Sequence, residues 1–164
     1  MKTNQIDVIL KQIISPALCN FLGVFPIDLI PSFNNIKFPA CLVANTDPST
    51  KPGTHWVAIY LESPNKIEFF DSYGLHPSVY GFSFSVVKYN QSQLQSFTSN
   101  VCGQYCIYYL FKRSRCSCIF SKEFSTNSDN NDILIVKWFK KISFSPHIPC
   151  CTKPCIQTCK CRKQ

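Results

Sequence analysis

"HWVAIYLESPNKIEFFDSYG", residues 55–74, is the stretch whose reading decides the fold. Two apolar runs, 55–61 and 67–71, flank Ser63-Pro64-Asn65-Lys66, a turn-forming sequence, so the stretch reads as two strands joined by a hairpin. Pairing about that turn brings the outer ends of the strands side by side, which sets His55 nearly opposite Asp71. Upstream, "CLVAN" at 41–45 is a third strand, separated from His55 by the polar loop "TDPSTKPGT". Consecutive strands most often pair as neighbours, so the expected core is an antiparallel meander.

Helices are expected around this sheet. Ile6, Ile9, Leu10, Ile13 and Ile14 recur at helical spacing ahead of Pro16, which marks a short amphipathic helix over 5–14. "FLGVFPIDLIP" (21–31) is interrupted by Pro26 and Pro31 and receives no regular element. "CGQYCIYYLFKR" (102–113) carries Cys106, Ile107, Tyr109, Leu110 and Phe111 without an internal proline, and reads as a buried helix with Cys102 in its first turn. A further helix is expected over 129–141, with Asp129 or Asn130 as N-cap. Beyond residue 145 the composition changes: the last 19 residues hold three prolines and five cysteines and no apolar periodicity. The expectation is one α+β domain over 1–145 and a Cys/Pro/Lys-rich tail over 146–164.

Composition limits the classes of function. The chain has 164 residues, 45% of them hydrophobic, which suits one well-buried core. Its 17 Lys and Arg against 9 Asp and Glu give a net charge of +8. Such a surface attracts nucleic acid or acidic partners without naming either. Neither a secretory leader nor a membrane-spanning run is legible, so an intracellular protein is expected, in nucleus or cytoplasm, with its 11 cysteines mostly reduced.

Three positions carry chemistry in this arrangement: His55 entering one strand, Asp71 leaving the next, and Cys102 opening a helix. A cysteine nucleophile needs a depressed thiol pKa, and a helix N-terminus and an adjacent imidazolium both supply it. A histidine base needs a third group to hold its tautomer, and a carboxylate on the paired strand meets that need. Gly103 allows close approach of backbone, and the Cys102 amide can face an oxyanion. A side-chain amide would complete the oxyanion site, and Gln91, Gln93 and Gln95 all lie just upstream. Taken singly, each residue has a plainer explanation: a packed histidine, a turn-capping aspartate, a small buried thiol.

The blocks "FLGVFPIDLIP", "VANTDPSTKPGTHWVAIY", "FFDSYG" and "LQSFTSNVCGQYCIYYL", in this order, resemble the adenovirus-type cysteine endopeptidases (adenain), including versions carried by Polinton or Maverick transposons. The SUMO-specific proteases are more distant relatives. The resemblance spans roughly residues 20–111 and implies a papain-like, adenain-like cysteine protease with a central antiparallel-rich sheet and a buried helix starting at the nucleophile. It assigns Cys102 as nucleophile, His55 as general base, Asp71 as the acid orienting it, and Gln95, rather than Gln91 or Gln93, as the oxyanion glutamine. Trp56 matches a tryptophan that walls a narrow substrate channel in the SUMO proteases, although a core aromatic explains it equally well. Cys102-Gly103 with Cys106 four residues on is adenain-like, as is Val101 where SUMO proteases have Asp. Asp71 points the other way, since the viral enzymes have Glu there. The interval between Asp71 and Cys102 is shorter than in the viral enzymes.

The implied activity is endopeptidase cleavage beside small or glycine residues of a capsid or other structural protein precursor, by a monomer in a virion, a virus-like particle or the cell. The alternatives are a protease specific for SUMO- or ubiquitin-like proteins and an inactive, nucleic-acid-binding descendant. No metal or small-molecule cofactor is required, and the resemblance allows DNA or a peptide as activator. Seven Lys or Arg and no Asp or Glu from residue 133 onward would suit DNA phosphates. The cysteines of the tail, with His147, lack the spacing of a standard zinc finger. Cys106, Cys116 and Cys118 are read as structural.

Overall fold

The computed structural model describes residues 1–82, 88–115 and 123–144. The tail from 146, with His147 and its cysteines, and Cys116 and Cys118 lie outside the described residues. Five strands form one sheet in the order β1 (Asn20–Pro26), β2 (Ala40–Asn45), β3 (Trp56–Ser63), β4 (Lys66–Phe70) and β5 (Lys88–Tyr89). Three helices, α1 (Thr3–Ile13), α2 (Cys102–Arg115) and α3 (Ser128–Phe144), complete a mixed α+β architecture.

The central pairings are antiparallel: β2 lies on β3 with Val43 opposite Ala58, and β3 on β4 with Ala58 opposite Phe70. This is the meander expected from the hairpin sequence. The outer pairings, β1 on β2 and β4 on β5, are parallel. The sheet is therefore antiparallel at its centre and parallel at both edges, less antiparallel-rich than the sequence suggests. The reason lies in "FLGVFP": Pro26 ends a strand instead of preventing one. It occupies the last position of an edge strand, where a missing N–H does no harm. The chain then passes through a short 3-10 turn, Ile27–Leu29, and a long return before re-entering the sheet alongside β1.

Both faces of the sheet are covered, which is why β2 is buried along its whole length and β3 over its first six residues, and why both read as unbroken apolar runs. On one face Cys41, Val43, Ala58, Tyr60 and Phe70 pack against α2, and α1 and α3 lie against α2 in turn. Ile6, Leu10 and Ile13, on one side of α1, make that contact. On the other face Leu42, Ala44, Val57, Ile59, Leu61 and Phe69 are covered by side chains of the connections, among them Phe33, Phe38 and Phe82. Because α2 is sandwiched between sheet and helices, its residues from Tyr105 to Phe111 are all buried.

Polar ties set the position of α2 along the sheet. Arg113 binds Glu68 of β4 through Nε at 2.9 Å and Nη2 at 3.1 Å, and the Tyr109 hydroxyl donates to Glu68 at 3.0 Å. Burial would raise the Glu68 carboxyl, but the guanidinium overcomes that and holds it below the usual range. The α3 cap differs from expectation. Asn127, rather than Asp129 or Asn130, sits ahead of the first turn, and its Oδ1 accepts the Asn130 N–H at 3.0 Å. That is the N-cap geometry one residue before Ser128.

Candidate active site

The β3–β4 register continues one step past the strands and delivers His55 and Asp71 to the same end of the sheet. His55 is 8% exposed and Asp71 fully buried. His55 Nε2 lies 2.6 Å from Asp71 Oδ1. The carboxylate accepts three further hydrogen bonds: the Tyr73 N–H on Oδ1 at 3.0 Å, and the Leu75 N–H at 3.1 Å and Tyr80 hydroxyl at 2.9 Å on Oδ2. With Asp71 accepting at Nε2, Nδ1 is the ring nitrogen left for sulfur, and the His55 ring and the Cys102 thiol lie close enough for each to shift the other's titration.

Helix α2 begins at Cys102, so the sulfur sits at the positive end of a fourteen-residue helix. The backbone N–H groups of Trp56 and Gly103 also lie near enough to this sulfur to favour the thiolate. Burial pushes the thiol up. His55 and these two amides outweigh burial and hold the thiol below its ordinary value. Burial alone would depress His55, but its bond to Asp71, the nearby Cys102 and the charges of both carry it up to about 9. The two shifts share one cause, a thiolate and an imidazolium stabilising each other over a buried carboxylate. Such a pair can attack an electrophilic carbonyl and pass a proton to the leaving group.

Of the three candidate glutamines, Gln91 and Gln93 are exposed and Gln95 is fully buried. Gln95 Oε1 accepts the Ser72 hydroxyl at 2.7 Å, and Nε2 donates to the Ser99 carbonyl at 2.8 Å. The second contact of Nε2 is with the Tyr73 hydroxyl at 3.5 Å, longer than a good hydrogen bond. The Gln95 loop is fastened on both sides. The Leu94 and Gln95 N–H groups bind the Ser72 carbonyl. Across the loop, Asp132 of α3 accepts the Ser96 N–H and the Tyr105 hydroxyl. If Gln95 is the oxyanion donor that the resemblance implies, Gln95→Ala is expected to lower kcat about a hundredfold with little change in KM in steady-state hydrolysis of a peptide substrate.

Trp56 follows His55 into β3. Its ring is 9% exposed within the core cluster that includes Cys102, and Nε1 donates to the Met1 carbonyl at 3.4 Å. Met1 also packs against Gly103, where a Cβ would come within 3.3 Å of the methionine side chain. The indole is thus set between the amino-terminal residue and the helix start.

Four residues of this site receive no role from the sequence. Tyr73 stacks on the His55 ring at 4.6 Å. Tyr80 donates to Asp71; burial and that charge push its hydroxyl up, so it stays a donor. Ser72 orients Gln95. Asn90 clamps the Asp71 backbone, accepting its N–H at 2.9 Å and donating to its carbonyl at 2.5 Å. Tyr73 and Ser72 are at least adjacent to Asp71 in "FFDSYG", whereas Asn90 acts across 19 residues and has no local signal. Gly74 closes the same turn at a positive φ of 73°, with its Cα against the Ser92 backbone, a position no side chain fits. Among the described residues no group of three or more His, Cys, Asp or Glu side chains is arranged to hold a metal, and no helix is long and apolar enough to cross a membrane.

No protein-family model matches this chain, and no curated protein matches it. Its fold is similar to that of the ASFV pS273R protease, known from the crystal structure of the selenomethionine protein, with a TM-score of 0.53 at 20% sequence identity. The match covers 80% of this chain and 64% of that protein, so this chain spans less than two thirds of its neighbour's length. At that identity the likeness concerns the fold.

Proposed function

We propose that this chain is a cysteine endopeptidase of the adenain-like kind that works through a thioester acyl-enzyme. One observation carries the reading: His55 Nε2 is 2.6 Å from a fully buried carboxylate, and the same imidazole acts on the thiol that opens α2, holding it below its ordinary value. A solved protease with a similar fold supports it. Cys102 thiolate attacks the scissile carbonyl, and the oxyanion is held by Gln95 Nε2 and the Cys102 N–H. His55 protonates the leaving amine and then takes a proton from water for deacylation, with Asp71 fixing its tautomer. The substrate is an extended protein segment with a small or glycine residue beside the cut, in a capsid or other structural protein of a virus or virus-like transposon. The net charge of +8 suits DNA as an activator. Asp71 in place of Glu favours a second reading, hydrolysis of SUMO- or ubiquitin-like precursors. Comparing a SUMO or ubiquitin fluorogenic substrate with a glycine-containing peptide separates the two. The inactive, nucleic-acid-binding alternative is opposed by the presence of all four catalytic groups.

A peptide vinyl sulfone tests the protease reading directly. Among the described cysteines, burial holds the Cys106 thiol far above its normal range. Cys41 is likewise pushed up, chiefly by its hydrogen bond with Cys19 and by burial. Mass spectrometry is therefore expected to find the adduct on Cys102 and not on Cys41 or Cys106, and to find this adduct missing in Cys102→Ala. A folded protein that leaves Cys102 unmodified overturns the reading.

A further inference from the structure

His55, Tyr73 and Phe97 form a column of three rings that runs from the buried imidazole to the surface. Tyr73 stacks on His55 at 4.6 Å with 21° between planes, and Phe97 stacks on Tyr73 at 5.3 Å and 28°. Phe97 is 73% exposed, more than any other large apolar side chain among the described residues. Its position is built. The Ser99 N–H and hydroxyl both donate to the Ser96 carbonyl at 3.1 Å, Ser96 and Thr98 share a hydroxyl contact at 3.0 Å, and Gln95 holds the Ser99 carbonyl. This tight turn holds the ring out against Tyr73, one face on the tyrosine and the other toward solvent.

The chemistry of the site says what passes there. To protonate the leaving nitrogen, the imidazole must come within hydrogen-bond reach of it. The segment that begins with this nitrogen therefore departs on the imidazole side of the nucleophile. Two aromatic rings flank the imidazole, Tyr73 at 4.6 Å and Tyr80 at 6.0 Å; Tyr80 is engaged with Asp71, whereas Tyr73 leads on to Phe97 at the surface. An apolar side chain arriving there would cover the open face of Phe97 and gain both apolar burial and ring contact. We propose that Phe97, backed by Tyr73, is the specificity wall for the leaving side of the cut, taking a Leu, Met or Phe side chain at the first or second residue after the scissile bond. This rests on the protease reading and goes beyond it: the small or glycine residue is placed on the acyl side of the cut, and the apolar residue on the leaving side.

The test uses the full chain on a proteome-derived peptide library, with cut sites read by mass spectrometry and counted only where Cys102→Ala leaves them uncut. Wild type is expected to enrich Leu, Met and Phe over Gly, Ser and Asp at the first or second leaving-side position by about tenfold, the scale of one apolar subsite. Phe97→Ala should compress that ratio to about twofold or less, and Phe97→Tyr, which keeps the ring, should retain it. Thermal unfolding confirms that each variant is folded. A wild type without leaving-side preference overturns the proposal while leaving the protease reading intact, as does a Phe97→Ala protein that slows all cuts alike or keeps its preference. Absence of any Cys102-dependent cut overturns both.

Discussion

Asp71→Asn is expected to lower kcat by at least about a hundredfold while the protein stays folded, in the direction of the loss of about ten-thousandfold seen when a Ser-His-Asp triad loses its carboxylate but keeps its shape. The donor arrangement makes this change severe. Both carboxylate oxygens accept two hydrogen bonds, Oδ1 from His55 and the Tyr73 N–H, Oδ2 from the Leu75 N–H and Tyr80. An asparagine has one oxygen to offer. If it faces Leu75 and Tyr80, its NH₂ meets His55 Nε2, the imidazole takes the other tautomer, and Nδ1 presents a proton to Cys102 where a base is needed. If it faces His55, its NH₂ opposes the Leu75 N–H, which disturbs the turn at a cost of about 1–3 kcal/mol. Either way the negative charge that stabilises the imidazolium is gone. Peptide hydrolysis and circular dichroism together check the result. A folded Asp71→Asn protein with activity within tenfold of wild type would show that His55 is not oriented by this carboxylate.

The second large effect is the pH dependence of Cys102 alkylation. An ordinary cysteine with a pKa near 8.5 holds about a thousandth of its thiol as thiolate at pH 5.5. Here the Cys102 thiol is lowered and His55 is raised to about 9, so the ion pair spans the interval between the two. Iodoacetamide should accordingly modify folded Cys102 faster than the same residue in denatured protein at pH values below the ordinary thiol range. As pH rises through about 9, His55 loses its proton. Peptide hydrolysis should then fall for want of a general acid, while alkylation, which needs none, continues. His55→Ala should abolish the acidic advantage and return the alkylation profile to that of an ordinary thiol. An alkylation rate that rises only through pH 8–9 in the native protein would remove the ion pair from the account.

Local pattern was sufficient for the hairpin. The turn sequence Ser63-Pro64-Asn65-Lys66 between two short apolar runs leaves little choice of pairing, because a turn that short joins neighbouring antiparallel strands. The hydrophobic periodicity of α1 and the proline-free run after Cys102 were likewise legible. "FLGVFP" was not, because β1 is an edge strand held in parallel to β2 through a long return, and its partner lies some twenty residues away. The short β5 was equally hidden, a two-residue strand defined by Glu68 and Phe69 opposite it.

The candidate site divides along the same line. The sequence by itself determined which residue types were available for nucleophile, base, acid and oxyanion donor, and, through the hairpin, that His55 and Asp71 would meet. Only the tertiary structure decided that the start of α2 is brought to that meeting point, since nothing local links Cys102 to β3. It alone supplied the clamp of Asn90 and the hydroxyl of Tyr80 on Asp71, and the turn that stacks Phe97 on Tyr73. The physical reason is range. Periodicity and turn chemistry act over a few residues, whereas the placement of a helix terminus against a strand end depends on burying both faces of a sheet at once.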